Sequence, residues 1–325
     1  MNLRPIARAA CGALANCLLL VAALAVAGPL LCRAAADPAQ VAPELREQAI
    51  KAMRQVFEQE HEFVKVHAAE YLLALDYADG IKETFAKEQE LHGTEPSYCI
   101  GIWRVLARAV SNEQERAKWI DRIRAVVMDP AAANRVGATE TLAKLRYKLR
   151  DDERASMEQA AKPENGELAP YAAWVLLNSE CPGAEARLAE LLGSDDVNVR
   201  AGAAYALRHQ PSISPATLEK LLAIVRKEPA ESRARIFVVT AAVVHAAPND
   251  QTAIKAELAG FAVNGTEEQK VQACQTLAQI GDGADLPMLS GLLDDPNPDA
   301  RAAVANAILR ISRRAPAENH NLLNK

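Results

Sequence analysis

One helical phrase recurs eight times along this chain. In its clearest copy it reads Val199-Arg200-Ala201-Gly202-Ala203-Ala204-Tyr205-Ala206-Leu207, with Arg200 as phase zero. Equivalent windows start at Lys65, Cys99, Arg135, Ala169, Arg200, Arg235, Lys270 and Arg301, separated by 34, 36, 34, 31, 35, 35 and 31 residues. A period of this size marks stacked helix pairs, each burying its apolar face against its neighbours. The expected fold is all-α, an α-solenoid of about eight helix-turn-helix units over residues 37–313.

Each phase of the phrase has a physical expectation. Residues three, four and seven after phase zero share one helical face and should be buried. Phase seven reads Leu72, Leu106, Leu142, Leu176, Leu207, Ala242, Leu277 and Ile308, and phases three and four are mostly Ala. Ala loses no side-chain entropy in a helix and allows close approach, so a chain that is 50% apolar but only 4% aromatic favours packed helices. Between units, Asp195-Asp196 and Asp294-Asp295-Pro296-Asn297-Pro298 break one helix and cap the next.

Residues 1–36 stand apart. Arg4 and Arg8 precede an apolar stretch from Cys17 to Ala27, and Ala34-Ala35-Ala36 supplies small residues before Asp37. This is the layout of a secretory signal peptide cleaved after about Ala36. The alternative is an uncleaved anchor, since Leu14–Leu31 approaches the roughly 20 residues of a span, although Gly28-Pro29 interrupts it. Export places the protein in the periplasm or cell envelope. Residues 314–325, polar and Asn-rich, are expected to form a disordered tail.

Loss of the leader removes three arginines and moves the formal charge from −5 to −8. An acidic chain without a basic stripe is a poor binder of nucleic acid or of an anionic membrane surface. Three cysteines remain, Cys99, Cys181 and Cys274, in units too far apart for disulfide geometry. They are expected to be free, buried thiols.

Leu191-Leu192 with Asp195-Asp196-Val197-Asn198-Val199-Arg200 and Ala203 to Leu207 resembles the HEAT repeat, in the short form also seen in bilin lyase-like HEAT proteins. Leu292-Leu293-Asp294-Asp295 with Ala300-Arg301 and Val304 to Ile308 is similar. The resemblance covers residues 41–313 and is weakest at the Cys99 and Arg235 copies. It implies a right-handed superhelix whose second helices line a concave, partner-binding face, with Arg200 and Arg301 in structural ion pairs. The stretches Glu62–Leu73 and Gly101–Arg108 look like exported bacterial HEAT proteins associated with sodium-solute symporter systems, which makes a membrane transporter system the implied setting.

Phases two, five and nine should form the exposed stripe of each second helix. Along the chain they give three zones. The first is charged: His67, Glu70, Arg104, Arg108, Glu140 and Lys144. Its alternating signs fit cross-repeat ion pairs, while Arg104 and Arg108 could instead hold a carboxylate ligand. The middle zone places Tyr171, Trp174, Tyr205 and Phe237, with His209, on three successive helices of a chain with 14 aromatic residues. Such side chains suit a peptide, glycan or protein partner, or else pack on one another and fill the groove. The last zone is amide-rich, with Gln272, Gln275, Gln279, Asn306 and Arg310.

Catalytic motifs do not emerge. There is no His-Glu-x-x-His pattern, no Gly-rich phosphate loop and no Gly-x-Ser-x-Gly turn. Asp295, Asn297 and Asp299 are spaced like the opening of a calcium loop, but Ala300 stands where Gly is needed and Asn306 replaces the closing Glu, so a turn is expected. A lyase activity, which the resemblance could imply, lacks a nucleophile at a groove phase. The reading is an exported scaffold without catalysis, cofactor or metal that binds a protein or peptide through Tyr171, Trp174, Tyr205, His209, Phe237, Arg104 and Arg108. A binding module for a small polar solute or glycan is the alternative.

Overall fold

The computed structural model describes residues 42–314, which all belong to one compact unit. The leader and its cleavage position, the possible anchor, and the polar tail beyond Arg314 lie outside the described residues. Within them the chain forms sixteen α-helices and two short 3-10 turns, with no strand.

Eight helices come first in their pairs: α1 (Pro43–Gln59), α3 (Ile81–His92), α5 (Glu113–Met128), α7 (Arg154–Ala160), α9 (Ala184–Leu191), α11 (Pro215–Lys227), α13 (Pro248–Asn264) and α15 (Leu286–Ser290). The eight that carry the phrase are α2 (Glu62–Ala74), α4 (Tyr98–Ala109), α6 (Arg135–Lys144), α8 (Leu168–Asn178), α10 (Val197–Arg208), α12 (Ala234–His245), α14 (Glu267–Ile280) and α16 (Pro298–Arg314). Their starts follow from local chemistry. Asp196 accepts from the Asn198 N–H, Asn297 from the Ala300 N–H at 2.8 Å, and Thr266 with Gln269 forms a reciprocal capping box. Pro215 and Pro248 occupy first-turn positions, where the missing N–H costs nothing.

Phase zero ties the pairs together. Lys65 reaches Glu88 on α3 at 2.8 Å, Arg200 grips Glu228 at 2.8 and 3.1 Å, Arg235 grips Glu257 on α13 at 2.7 Å, and Lys270 reaches Asp295 at 2.6 Å. Each cation bridges from an inner helix to the segment that follows it. Arg301 instead donates to the Asp295 and Pro296 carbonyls, at 2.8 and 3.1 Å. The Asp295 carboxylate is thus engaged by Lys270, and its other oxygen accepts the Asn297 N–H, as a turn requires.

The phrase-bearing helices pack in order, α2 on α4, α4 on α6, and so on to α14 on α16. Contacts join equal phases, such as Glu70 with Arg104 and Trp174 with Tyr205, so neighbours run parallel and in register. Small residues at phase two bring them close: a Cβ at Gly202 would lie 2.7 Å from Pro170 Cγ, and one at Gly101 would lie 2.9 Å from Val66 Cγ2. Phases three, four and seven are buried as expected except at Trp103, which is half-buried, with Leu72, Leu142, Leu207 and Leu277 fully enclosed.

The array then returns to its start. Helix α16 packs against both α1 and α2, so the inner helices make a closed ring of contacts. The apolar side of α1, through Ala49, Met53, Val56 and Phe57, is buried, while Glu44, Arg46, Glu47 and Lys51 stay exposed. Polar bonds cross the closure: His67 to Asp299, Gln275 to Tyr71, and Arg313 to Asp76 and the Leu75 carbonyl.

Candidate functional site

Closure changes the environment of phases two, five and nine. These positions were expected to form an exposed stripe, yet Glu70, Arg104, Trp174, Tyr205, Phe237 and Asn306 are all buried. On an open concave wall they would face solvent; in a ring they face one another. The stripe therefore surrounds a central cavity of about 780 Å³, to which all eight inner helices contribute. Every residue singled out from the sequence, Tyr171, Trp174, Tyr205, His209, Phe237, Arg104 and Arg108, lines it.

Those residues divide by role. Arg104 is held by Glu70 through two bonds, Nε to Oε1 at 2.7 Å and Nη2 to Oε2 at 3.0 Å, and donates again to Thr141 Oγ1 at 3.0 Å. Arg108 reaches the same carboxylate at 2.9 Å and the Lys144 carbonyl at 3.3 Å. Both guanidinium groups are therefore committed to the protein, and the ion-pair expectation for the charged zone describes them better than ligand capture. Glu140 and Lys144 pair within α6 at 2.7 Å.

Burial would raise the Glu70 carboxyl, but the charges of Arg104, Arg108 and Lys144 outweigh it and hold the group well below the usual carboxylate range. Burial opposes ionisation of Glu140 in the same way, and Lys144 and Arg104 keep it low. Both acids are thus anions in the folded protein, each facing a cation.

The aromatic residues form a continuous arc. Trp174 and Tyr205 meet edge to face with centroids 5.9 Å apart, and Tyr205 meets Phe237 likewise at 6.0 Å. His209 lies against both Trp174, at 4.9 Å, and Tyr205, at 4.6 Å. They pack on each other and still present a wall to the cavity. The His209 Nδ1–H donates to the Tyr205 carbonyl at 2.8 Å. Burial, then the nearby Arg208 charge, keeps this imidazole well below the usual His range, so it is neutral with Nε2 left as an acceptor.

Arg208 was not singled out from the sequence. It is 1% exposed and lies behind Tyr205, its guanidinium carbon 4.8 Å from the ring centroid. It crosses to α14, where Nη2 donates to Gln275 Oε1 at 3.1 Å and Nη1 to Thr276 Oγ1 at 3.3 Å. Its Nε has no partner, nor has the buried Oε1 of Gln272 beside it. No carboxylate pairs with it among the described residues. A signal existed: phase eight reads Leu73, Ala107, Ala143, Leu177, Arg208, Val243, Ala278 and Leu309, so one cation interrupts an apolar column.

Gln275 passes the contact on, donating to the Tyr71 hydroxyl at 2.6 Å. Arg310, on α16, also lines the cavity; its Nε donates to Asn306 Oδ1 at 3.1 Å. No family model matches this chain, and no curated protein matches its sequence. The geometry of the cavity is therefore the basis for a functional reading.

Cys99, Cys181 and Cys274 are free and buried, and none lines the cavity. Among the described residues no group of three or more His, Cys, Asp or Glu is placed to hold a metal ion, and no helix is long and apolar enough to cross a membrane.

Proposed function

We propose that this protein is an exported binding protein without catalysis, built as a HEAT-like, right-handed α-solenoid that closes on itself. Its central cavity receives a small polar solute, or a short peptide segment of a partner protein such as a transporter subunit. The signal-peptide layout of residues 1–36 supports export. The period and the phase-zero ion pairs support the HEAT-like reading.

The single observation that carries the function is the convergence of all eight inner helices on one cavity of about 780 Å³. That volume lies in the range of pockets that enclose small ligands, roughly 300–1,000 Å³. A folded partner needs about 800 Å² of accessible surface on each side, which a closed bore does not offer. The concave-face scaffold inferred from the sequence therefore narrows to a site for a small molecule or a chain segment.

Enzymatic roles gain no support from the site. Its carboxylates, the buried Glu70 and the half-buried Glu140, face cations that keep them ionised, so neither is poised near neutral pH as an acid or base. Retention of envelope solutes and peptides should be compared between wild type and Trp174→Ala with Tyr205→Ala, each checked for its melting temperature. Loss of a retained species in a still-folded variant supports the reading. Equal retention refutes the cavity as the site.

A further inference from the structure

The balance of charge around the cavity is unequal. Glu70 serves two guanidinium groups, Arg104 and Arg108. Glu140 answers Lys144, Glu268 answers Arg233 at 2.9 Å, and Asp299 faces His67. Among the described residues Arg146, Arg208 and Arg310 are left without an acid, and Glu267 without a cation. The chain as a whole carries −5, so a cationic interior runs against its average.

Two of the unmatched cations, Arg208 and Arg310, bear on the α10–α14–α16 side of the bore. Arg208 lies behind the wall at Gln275, and the Gln275 amide reaches Tyr71. Arg310 lines the same cavity. An enclosed guanidinium that meets only neutral acceptors keeps a desolvation cost that an anion can offset. The unpartnered Arg208 Nε and Gln272 Oε1 are further signs of an unfilled polar requirement, since buried polar atoms are ordinarily bonded. The arc of Trp174, Tyr205 and Phe237 adjoins them, since the Arg208 guanidinium carbon lies 4.8 Å from the Tyr205 ring centroid.

Resting on the cavity reading above, we propose that the occupant is a carboxylate with a short apolar body. Its carboxylate sits toward Arg310, Tyr71 and Gln275, with Arg208 behind them, and its apolar part lies against the aromatic arc. Arg is suited to this because its planar donors match a carboxylate. The same carboxylate chemistry is offered by a free organic acid and by the C-terminus of a peptide.

The test is titration calorimetry of the purified protein with phenylacetate, succinate, phenylacetamide, and the peptide Ala-Ala-Phe as free acid and as C-terminal amide. An acid is expected to bind at least about tenfold more tightly than its amide, the scale of one charge-assisted contact, and Arg310→Gln is expected to remove most of that preference. Arg208→Met supplies a second readout: it should melt at or above the wild-type temperature without ligand, yet gain less on addition of the acid. Binding by the free acids identifies a solute as the source; binding by the peptide acid alone identifies a chain end. Amides that match their acids, or an Arg310→Gln variant with unchanged preference, would overturn the carboxylate assignment and leave the cavity reading standing. Silence of acids and amides alike overturns both.

Discussion

The Nδ1 of His67 lies 3.0 Å from both carboxylate oxygens of Asp299, joining the first phrase-bearing helix to the last across 232 residues of sequence. Gln275 with Tyr71 and Arg313 with Asp76 reinforce the same seam. An open array tolerates loss of a terminal unit, because only nearest neighbours depend on it. A closed one does not. Removal of residues 298–325 is expected to strip the cover from α1, α2 and α14 together and to abolish cooperative thermal unfolding by circular dichroism. A truncated chain that melts as sharply as wild type would contradict closure. His67→Ala alone should cost only about 0–1 kcal/mol, the scale of a partly exposed pair.

The Glu70–Arg104 pair is buried on both sides, with side chains 9% and 4% exposed. Glu70→Gln leaves the Arg104 charge enclosed and weakly answered, which should destabilise the protein by about 3–5 kcal/mol in urea titrations at pH 7. A loss under 1 kcal/mol would mean that the pair contributes little.

Acid should weaken the fold through the same groups. Glu70 and Glu140 are held below their ordinary values, so their contribution is present above the unfolded carboxylate range and is lost as pH falls through their folded values. Urea midpoints are expected to be flat from pH 8 to pH 6 and to decline below about pH 4, the unfolded range. The decline should be shallower in Glu70→Gln, and equal slopes would exclude Glu70 as its source.

Arg208→Met replaces an enclosed, unanswered cation with an apolar side chain of similar length. Without ligand, the urea midpoint should stay unchanged or rise, by an amount worth up to about 4 kcal/mol. Strong destabilisation would show that the bonds to Gln275 and Thr276 outweigh the buried charge.

The Cys274 thiol is fully enclosed, and burial, then the Asp295 charge, pushes it up to about 12. It should remain unmodified by a disulfide reagent at pH 8 until denaturant is added. Rapid labelling at Cys274, located by peptide mapping, would show local opening of α14.

Much of this architecture was legible in the phrase itself. The buried column at Leu72, Leu142, Leu207 and Leu277 and the caps at Asp196 and Asn297 follow from phase, and the pairing of Arg200 with an acid is what the HEAT resemblance implies; each depends on residues within one or two units. The aromatic arc was also legible as a set of equivalent positions. Closure was not, since a repeat period fixes the step between neighbours but not the accumulated rotation over eight of them. What depends on closure differs for the same reason: the stripe read as open is interior, whereas the Arg104–Glu70 bond is the cross-repeat ion pair that the alternating signs of the charged zone suggest. Arg208 could have been found at phase eight, where it alone departs from an apolar column, but its link to α14 passes over α12 and has no counterpart in the repeat.

The parallel, in-register arrangement of the inner helices gives the two ends of the bore different characters. Amide ends gather at one, beside Phe63, Arg233, Glu267 and Asn297, and carbonyl ends at the other, beside Arg108, Lys144, Gln279 and Arg310. Each helix contributes roughly half a positive charge at its start and half a negative charge at its finish, and in a ring of like-directed helices these do not cancel. By this field alone the negative end of an elongated guest would turn toward the amide ends, so a carboxylate at Arg310, among the carbonyl ends, would depend on that guanidinium to hold it there.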